Sequence, residues 1–191
     1  MTEQKTRKRQ AKLLRNTRKI HRFMGIFLFV FFIFISVSGI LLGWKKHSAG
    51  ILLPATTTGI STNLAEWLPL PELEQKAFKV LHDSVGNALS IKLDRIDVRK
   101  EKGIVKFIFK NHLNSIQLDG ATGEVLQIGL RLSDFIEQVH DGSILDDYFN
   151  TPSGIIKVSY TSIMGVALLL FSLTGFWLWY GPKRMKSSSR K

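Results

Sequence analysis

The 191-residue chain is expected to be an α+β membrane protein, two transmembrane helices flanking a small extracytoplasmic domain in which a helix packs on an antiparallel sheet. Three observations carry that expectation. Two long runs, Phe23 to Trp44 and Val158 to Tyr180, contain no charged residue. Lys and Arg crowd the outer flanks of both runs. The stretch between them shows a helical period first and strand-like alternation afterwards.

The first run, FMGIFLFVFFIFISVSGILLGW, is 22 residues long. As a helix it covers roughly 33 Å, enough for a hydrocarbon core of about 30 Å. It must be helical, because lipid gives the backbone no other hydrogen-bond partner. Its basic start fits a signal peptide, but the run is long and Phe-rich, and the best small-residue site, Ser48-Ala49-Gly50, follows Lys45 and Lys46. A retained anchor is expected. The spans are placed at residues 20–44 and 155–180, with a basic arm at 1–19, a domain with its loops at 45–154 and a basic tail at 181–191.

Of the net charge of +12, the first 22 residues carry +8 and the last eleven +5, which leaves the middle at −1. Basic flanks beside short tails put both termini in the cytoplasm and the middle domain outside. Anionic headgroups of the lipid bilayer are the expected partner of the tails. Nucleic acid is not expected, because no aromatic interleaving or binding motif accompanies the charge. The chain has no cysteine, which excludes disulfides, thiol chemistry and Cys-based metal sites.

Residues 1–16 read as a solvated basic arm, disordered or a fraying helix. His21 stands at the cytoplasmic edge of the first span, and Gly25 lies one turn deeper on the same face. Gly39 and Gly43 form a G-x-x-x-G pair near the outer end. Ser36 and Ser38 can bond back to helix carbonyls and so need no partner. Residues 47–69 read as loop. Pro71 suits a first helical turn, and Glu72 to Ser84 is amphipathic, with Leu73, Ala77, Val80 and Leu81 on one stripe and Gly86-Asn87 as the stop. Strands are expected around Leu89–Asp94, Val105–Lys110, Ile116–Leu118 and Val125–Ile128, joined by a charged turn at Arg99–Gly103 and a hairpin at Asp119–Gly123. Ser133 is expected to cap a short helix, Asp134–His140, with Leu132, Ile136 and His140 on its apolar stripe. A domain of about eighty residues has a marginal core, so support from the membrane or a partner is expected.

The spans end alike: Ser36-Val37-Ser38-Gly39 in one and Ser172-Leu173-Thr174-Gly175 in the other, each followed by interfacial aromatics. A worn inverted repeat and coincidence both account for this.

The stretches Lys19-Ile20-His21-Arg22-Phe23-Met24-Gly25, Ser38 to Lys46, Val139-His140-Asp141-Gly142-Ser143-Ile144 and Thr174-Gly175-Phe176-Trp177-Leu178-Trp179 together resemble the PepSY-associated transmembrane-helix proteins, in their two-span, short form. Ile116 to Leu126 looks like the closing hairpin of a PepSY domain. The resemblance covers roughly residues 15–185. It implies a bacterial inner-membrane protein. Larger four-helix relatives are haem-containing ferric-siderophore reductases, and their histidines near the membrane faces match His21 and His140. Two spans instead of four set this chain apart from a self-contained reductase.

Two functions follow. In the first, His21 and His140 bind haem b in an electron-transfer or ferric-siderophore-reductase component of iron uptake. A span separates the two histidines, so they cannot share one iron, and a homodimer would bring two copies of each together. Arg18, Lys19 and Arg22 would hold propionates, and Gly25, Gly175, Gly39 and Gly43 would make room. In the second, the chain is a non-catalytic, membrane-anchored PepSY interaction module. It binds an extracytoplasmic or membrane-protein partner, His21 is an interfacial anchor and His140 a satisfied contact. No catalytic residue is assigned. His82-Asp83 and His140-Asp141 are sequence neighbours without a nucleophile elbow or an H-E-x-x-H. His47 and His112 read as exposed loop residues, and His82 as a surface residue near a helix end.

Overall fold

A computed structural model describes residues 2–86 and 88–187. Asn87 of the expected helix stop, and Arg190 and Lys191 of the basic tail, lie outside the described residues. The chain divides into two compact units, residues 1–38 with 139–191, and residues 39–138.

The first unit is built on two long helices, α1 (Thr2–Trp44) and α5 (Ile155–Ser187). Each is long and apolar enough to cross a membrane, and only 11 % of each apolar window is buried. Core helices of a soluble fold bury such residues, whereas here Phe23, Ile26 and Phe27 on α1, and Ile163 and Phe176 on α5, all stand exposed. The protein is a membrane protein.

From Thr2 onward the basic arm is helical and continuous with the span. Its Lys, Arg, Gln, Leu and Ala are strong helix formers. It is also partly packed, because Leu14 is buried and lies where a Cβ on Gly181 would stand. Within the apolar zone Leu28 and Met164 are buried, and Phe32 meets Phe171 edge-on with centroids 5.6 Å apart. A Cβ on Gly25 would lie 3.2 Å from Phe171, so the space beside that glycine is filled by the phenyl ring and not left for a ligand.

The second unit holds a four-stranded antiparallel meander, β1 (Leu93–Arg99), β2 (Ile104–Phe109), β3 (Asn114–Asp119) and β4 (Val125–Leu130). Strand β1 starts later than the alternation at Leu89 implied. Its first pair is Leu93 with Phe109, and Ile91 is exposed ahead of it. The turn to β2 closes on Gly103, whose φ of 69° suits glycine.

Helix α2 (Leu70–Val80) lies on one face of the sheet, with Pro71 in its first turn. It ends in one wider turn, Leu81–Val85, where a longer α-helix was expected. Leu73, Ala77 and Leu81 pack on Val105, Phe107, Phe109, Ile116 and Leu118. Alternation implied a solvated opposite face, but every residue of β2 is buried. The segment read as loop covers that face. Lys106 Nζ donates to Thr56 Oγ1 (2.7 Å), Gln117 Nε2 donates to the Ala55 carbonyl (2.8 Å), and the Ile60 N–H donates to Asp119 (2.6 Å).

Helix α3 (Leu132–Asp141) begins one residue before the expected cap. Ser133 is therefore inside it, buried, with its N–H donating to the Leu52 carbonyl at 2.7 Å. Gly142, at a φ of 80°, stops α3 and starts the short helix α4 (Ser143–Phe149).

Candidate functional site

Both candidate histidines lie in the first unit, and each is held by a hydroxyl from a span. His21 Nδ1 is 2.8 Å from Thr174 Oγ1, and His140 Nδ1 is 2.7 Å from Ser38 Oγ. Each hydroxyl also donates to its own helix: Ser38 to the Phe34 carbonyl at 2.6 Å, and Thr174 to the Leu170 carbonyl at 2.8 Å.

The hydroxyls bear on the imidazole tautomer. A hydroxyl has one hydrogen and two lone pairs. Where that hydrogen goes to the helix carbonyl, the oxygen accepts from the ring and Nδ1 carries the proton. In the neutral ring Nε2 then keeps its lone pair, and it makes no hydrogen bond among the described residues. This is the tautomer a metal-ligating histidine adopts, with the second ring nitrogen held by a neighbour.

The hydroxyls occupy the same place in the two sequence motifs, Ser38 in Ser36-Val37-Ser38-Gly39 and Thr174 in Ser172-Leu173-Thr174-Gly175. Sequence reasoning noted the repeat but treated Ser38 as needing no partner. The repeat was the available signal, because it puts one hydroxyl at the same step before each interfacial end.

The two environments differ. The His21 ring stacks on Phe171 with centroids 4.1 Å apart and planes 21° apart. A Cβ on Gly175 would lie 3.5 Å from His21 Cε1, in ordinary contact. His140 has no ring partner among the described residues. Beside it Asp141 meets Lys157 Nζ at 2.5 Å. Burial pushes the Asp141 carboxyl up, but Lys157 and the bonds from Ser143 outweigh it and hold the group below the usual carboxylate range.

Seventeen residues separate His21 from Ser38 along α1, a rise of roughly 26 Å. The two imidazoles therefore serve two levels and cannot meet on one ion. Among the described residues no cluster of three or more His, Asp or Glu is arranged to hold a metal ion. A metal held here takes its other ligands from a macrocycle or a second chain. One further polar atom stands out: Trp177 Nε1, one turn beyond Thr174, is buried without a hydrogen-bond partner. Arg18, Lys19 and Arg22 are exposed around His21. Among the described residues, a Cβ on Gly43 would meet no heavy atom of another element within 4 Å.

The remaining histidines are structural or superficial. His47 is exposed. His82 is exposed and 3.3 Å from Asp83. His112 is not the free loop residue that was expected. Its Nε2 donates to the Ser90 carbonyl at 3.0 Å, its Nδ1 accepts from the Asn114 N–H at 3.3 Å, and its ring lies on Phe109 with centroids 5.3 Å apart. It pins the β2–β3 connection.

Comparison with curated proteins and with solved structures finds no match to this chain. The family described as the PepSY-associated TM region matches residues 2–181, which takes in both spans, both histidines and the sheet between them. The chain belongs to the PepSY-associated TM family.

Proposed function

We propose that this protein is a haem-binding electron-transfer component of a bacterial inner membrane, working in ferric-siderophore reduction for iron uptake. The observation that carries the reading is the pair of hydroxyl-held imidazoles, each with Nε2 free, one near each end of the span pair. The residues fit haem b. The donors are imidazoles held at Nδ1 by a hydroxyl with Nε2 unbonded, and the buried Trp177 N–H has no hydrogen-bond partner among the described residues.

Haem, when bound, supplies one-electron Fe(III)/Fe(II) chemistry. The chain supplies the rest. His21 and His140 would hold the haem through Nε2, Thr174 and Ser38 hold those rings at Nδ1, and the exposed Arg18, Lys19 and Arg22 would pair with propionates. With one imidazole per level, a homodimer would supply the second histidine at each level. Ligand positions about 26 Å apart along α1 would put one haem towards each face of the membrane. Both termini are assigned to the cytoplasm, because the basic excess lies beside the two spans.

The test is the absorbance of detergent-purified protein, oxidised and then dithionite-reduced. A Soret band with sharp reduced bands of six-coordinate low-spin haem is expected, at about one haem per chain. His21→Ala and His140→Ala are each expected to remove about half of it. Protein that shows no Soret band even after haem supplementation sinks the reading.

A further inference from the structure

Helix α4 is built inside out. Its acid Asp146 is only 7 % exposed, while Leu145, Tyr148 and Phe149 are 45, 78 and 62 % exposed. The three apolar residues are spaced i, i+3, i+4 and share one face. In water that arrangement is unfavourable, since burying each such side chain is worth about 1.5–3 kcal/mol.

The buried acid shows where the helix is fastened. The Asp146 carboxylate accepts the N–H of Ile156 (2.9 Å) and of Lys157 (2.7 Å), and also the Thr151 hydroxyl. Those amides are among the first of α5. A carboxylate at a helix start is favoured by the helix dipole, and this one ties α4 to the mouth of the second span. At the same level α5 exposes its own apolar residues, Ile155 at 55 % and Val158 at 60 %. The apolar face of α4 thus begins where the lipid-facing surface of the span begins.

We propose that α4 lies in the boundary between headgroups and acyl chains of the outer leaflet, with Leu145, Tyr148 and Phe149 in contact with lipid. The partner is the bilayer itself, taken up by apolar burial and not by headgroup charge, because Ser143–Phe149 contains no Lys or Arg and two Asp. Two aromatics at this depth match the preference of amphipathic rings for the interface. Only Asp141 and Gly142 separate α4 from His140, so a helix floating at fixed depth also fixes the level of that imidazole beside Ser38. None of this depends on haem being bound.

The native chain has no cysteine, so a single introduced one is labelled without ambiguity. Tyr148→Cys and Phe149→Cys in the full chain, carrying a nitroxide and reconstituted into phosphatidylcholine vesicles, are compared with Lys102→Cys in the exposed β1–β2 turn. The label on α4 is expected to be relaxed several-fold more by oxygen than by a water-soluble nickel chelate, with the reverse at residue 102. The same pattern is expected with anionic lipid added. Relaxation by the chelate as strong as at residue 102 overturns the proposal. So does protection from both agents, which would mean that a second copy or another protein covers the face.

Discussion

The sheet unit and the helix pair treat polar groups in opposite ways. Among the described residues of the sheet unit, every buried polar side chain is used up by the fold. Gln117 donates to the Ala55 carbonyl and to Gln127, and accepts from Thr57. Asp119 accepts from Ile60, Ala121 and Thr122. Lys106 is bound to Thr56. In the helix pair, where lipid makes an unmet polar group more costly still, two imidazole Nε2 atoms are unbonded and Trp177 Nε1 is buried without a partner. Buried polar groups are normally satisfied, and among the described residues Trp177 Nε1 is the one that is not; under the haem reading proposed above, it and the two Nε2 atoms are where the ligand would sit. The sheet unit spends its polar groups on its own conformation, and the helix pair keeps some in reserve.

That contrast is broken most easily at Asp119. This carboxylate is 1 % exposed and closes the β3–β4 hairpin. Burial raises its pKa, but the N–H groups of Thr122, Ile60 and Ala121 outweigh that and hold it below the usual range. Asp119→Ala strands those donors and is expected to cost about 3 kcal/mol or more. Chemical unfolding followed by domain fluorescence measures it. Haem absorbance per folded chain should not change. A fall in both together would mean that the two units do not divide the work in this way.

Lys106 gives the next effect. Burial first, then repulsion from Arg99 and Arg131, lowers its pKa from the ordinary 10.5 to about 8. Between those values the unfolded chain holds a proton that the folded chain does not. Stability therefore rises with pH across that window, on the order of 2–3 kcal/mol in total. Other lysines titrate there too, so the quantity to measure is the difference between the native chain and Lys106→Met from pH 7 to 10.5. An identical pH slope in the two would refute the assignment.

Periodicity and charge made much of this legible. The two spans, the α2 stripe of Leu73, Ala77 and Leu81 and the Asp119 hairpin all follow from local patterns that tertiary structure did not override. The second cover of the sheet did not, because Pro54 to Ile60 has no period and bonds through its backbone to side chains some sixty residues away. Lys106 alternated correctly but pointed under that cover. His21 and His140 were readable as lone polar residues beside glycines. Their holders were not, since a hydroxyl in a span looks complete once it bonds its own helix, and only the structure brings a ring nitrogen within hydrogen-bond distance of its oxygen. The room beside Gly25 was open to another helix or a flat ligand, and it is the other helix that takes it, through Phe171, which nothing local to the first span shows.

The hydroxyls sharpen the contrast at an intermediate size. Ser38→Ala leaves His140 with no other ring support, and loss of such an outer-shell partner commonly costs 10–100-fold in metal affinity. Thr174→Val is expected to cost less, because Phe171 still stacks on His21. Ser38→Thr and Thr174→Ser should restore binding. Haem titration of each variant gives the affinities, and the ring-nitrogen shifts of the haem-free protein show whether the proton has left Nδ1. An unchanged tautomer in both Ser38→Ala and Thr174→Val would remove the positioning role.

The smallest effect compares two tryptophans. Trp67, in the sheet unit, donates Nε1–H to the Ser61 carbonyl at 2.9 Å, while Trp177 donates to nothing. Exchange for Phe removes the same indole N–H from both. Trp67→Phe also strands a carbonyl and is expected to cost about 1–3 kcal/mol. Trp177→Phe loses no hydrogen bond, and relief of an unmet donor offsets the lost ring volume, so the haem-free chain should change by less than about 1 kcal/mol. Thermal unfolding of both variants without haem is the measurement. If Trp177→Phe proves as costly as Trp67→Phe, its N–H has a structural partner after all, and the helix pair holds no polar group in reserve there. If it is silent without haem but weakens haem retention, the unpaired donor is accounted for by the ligand it awaits.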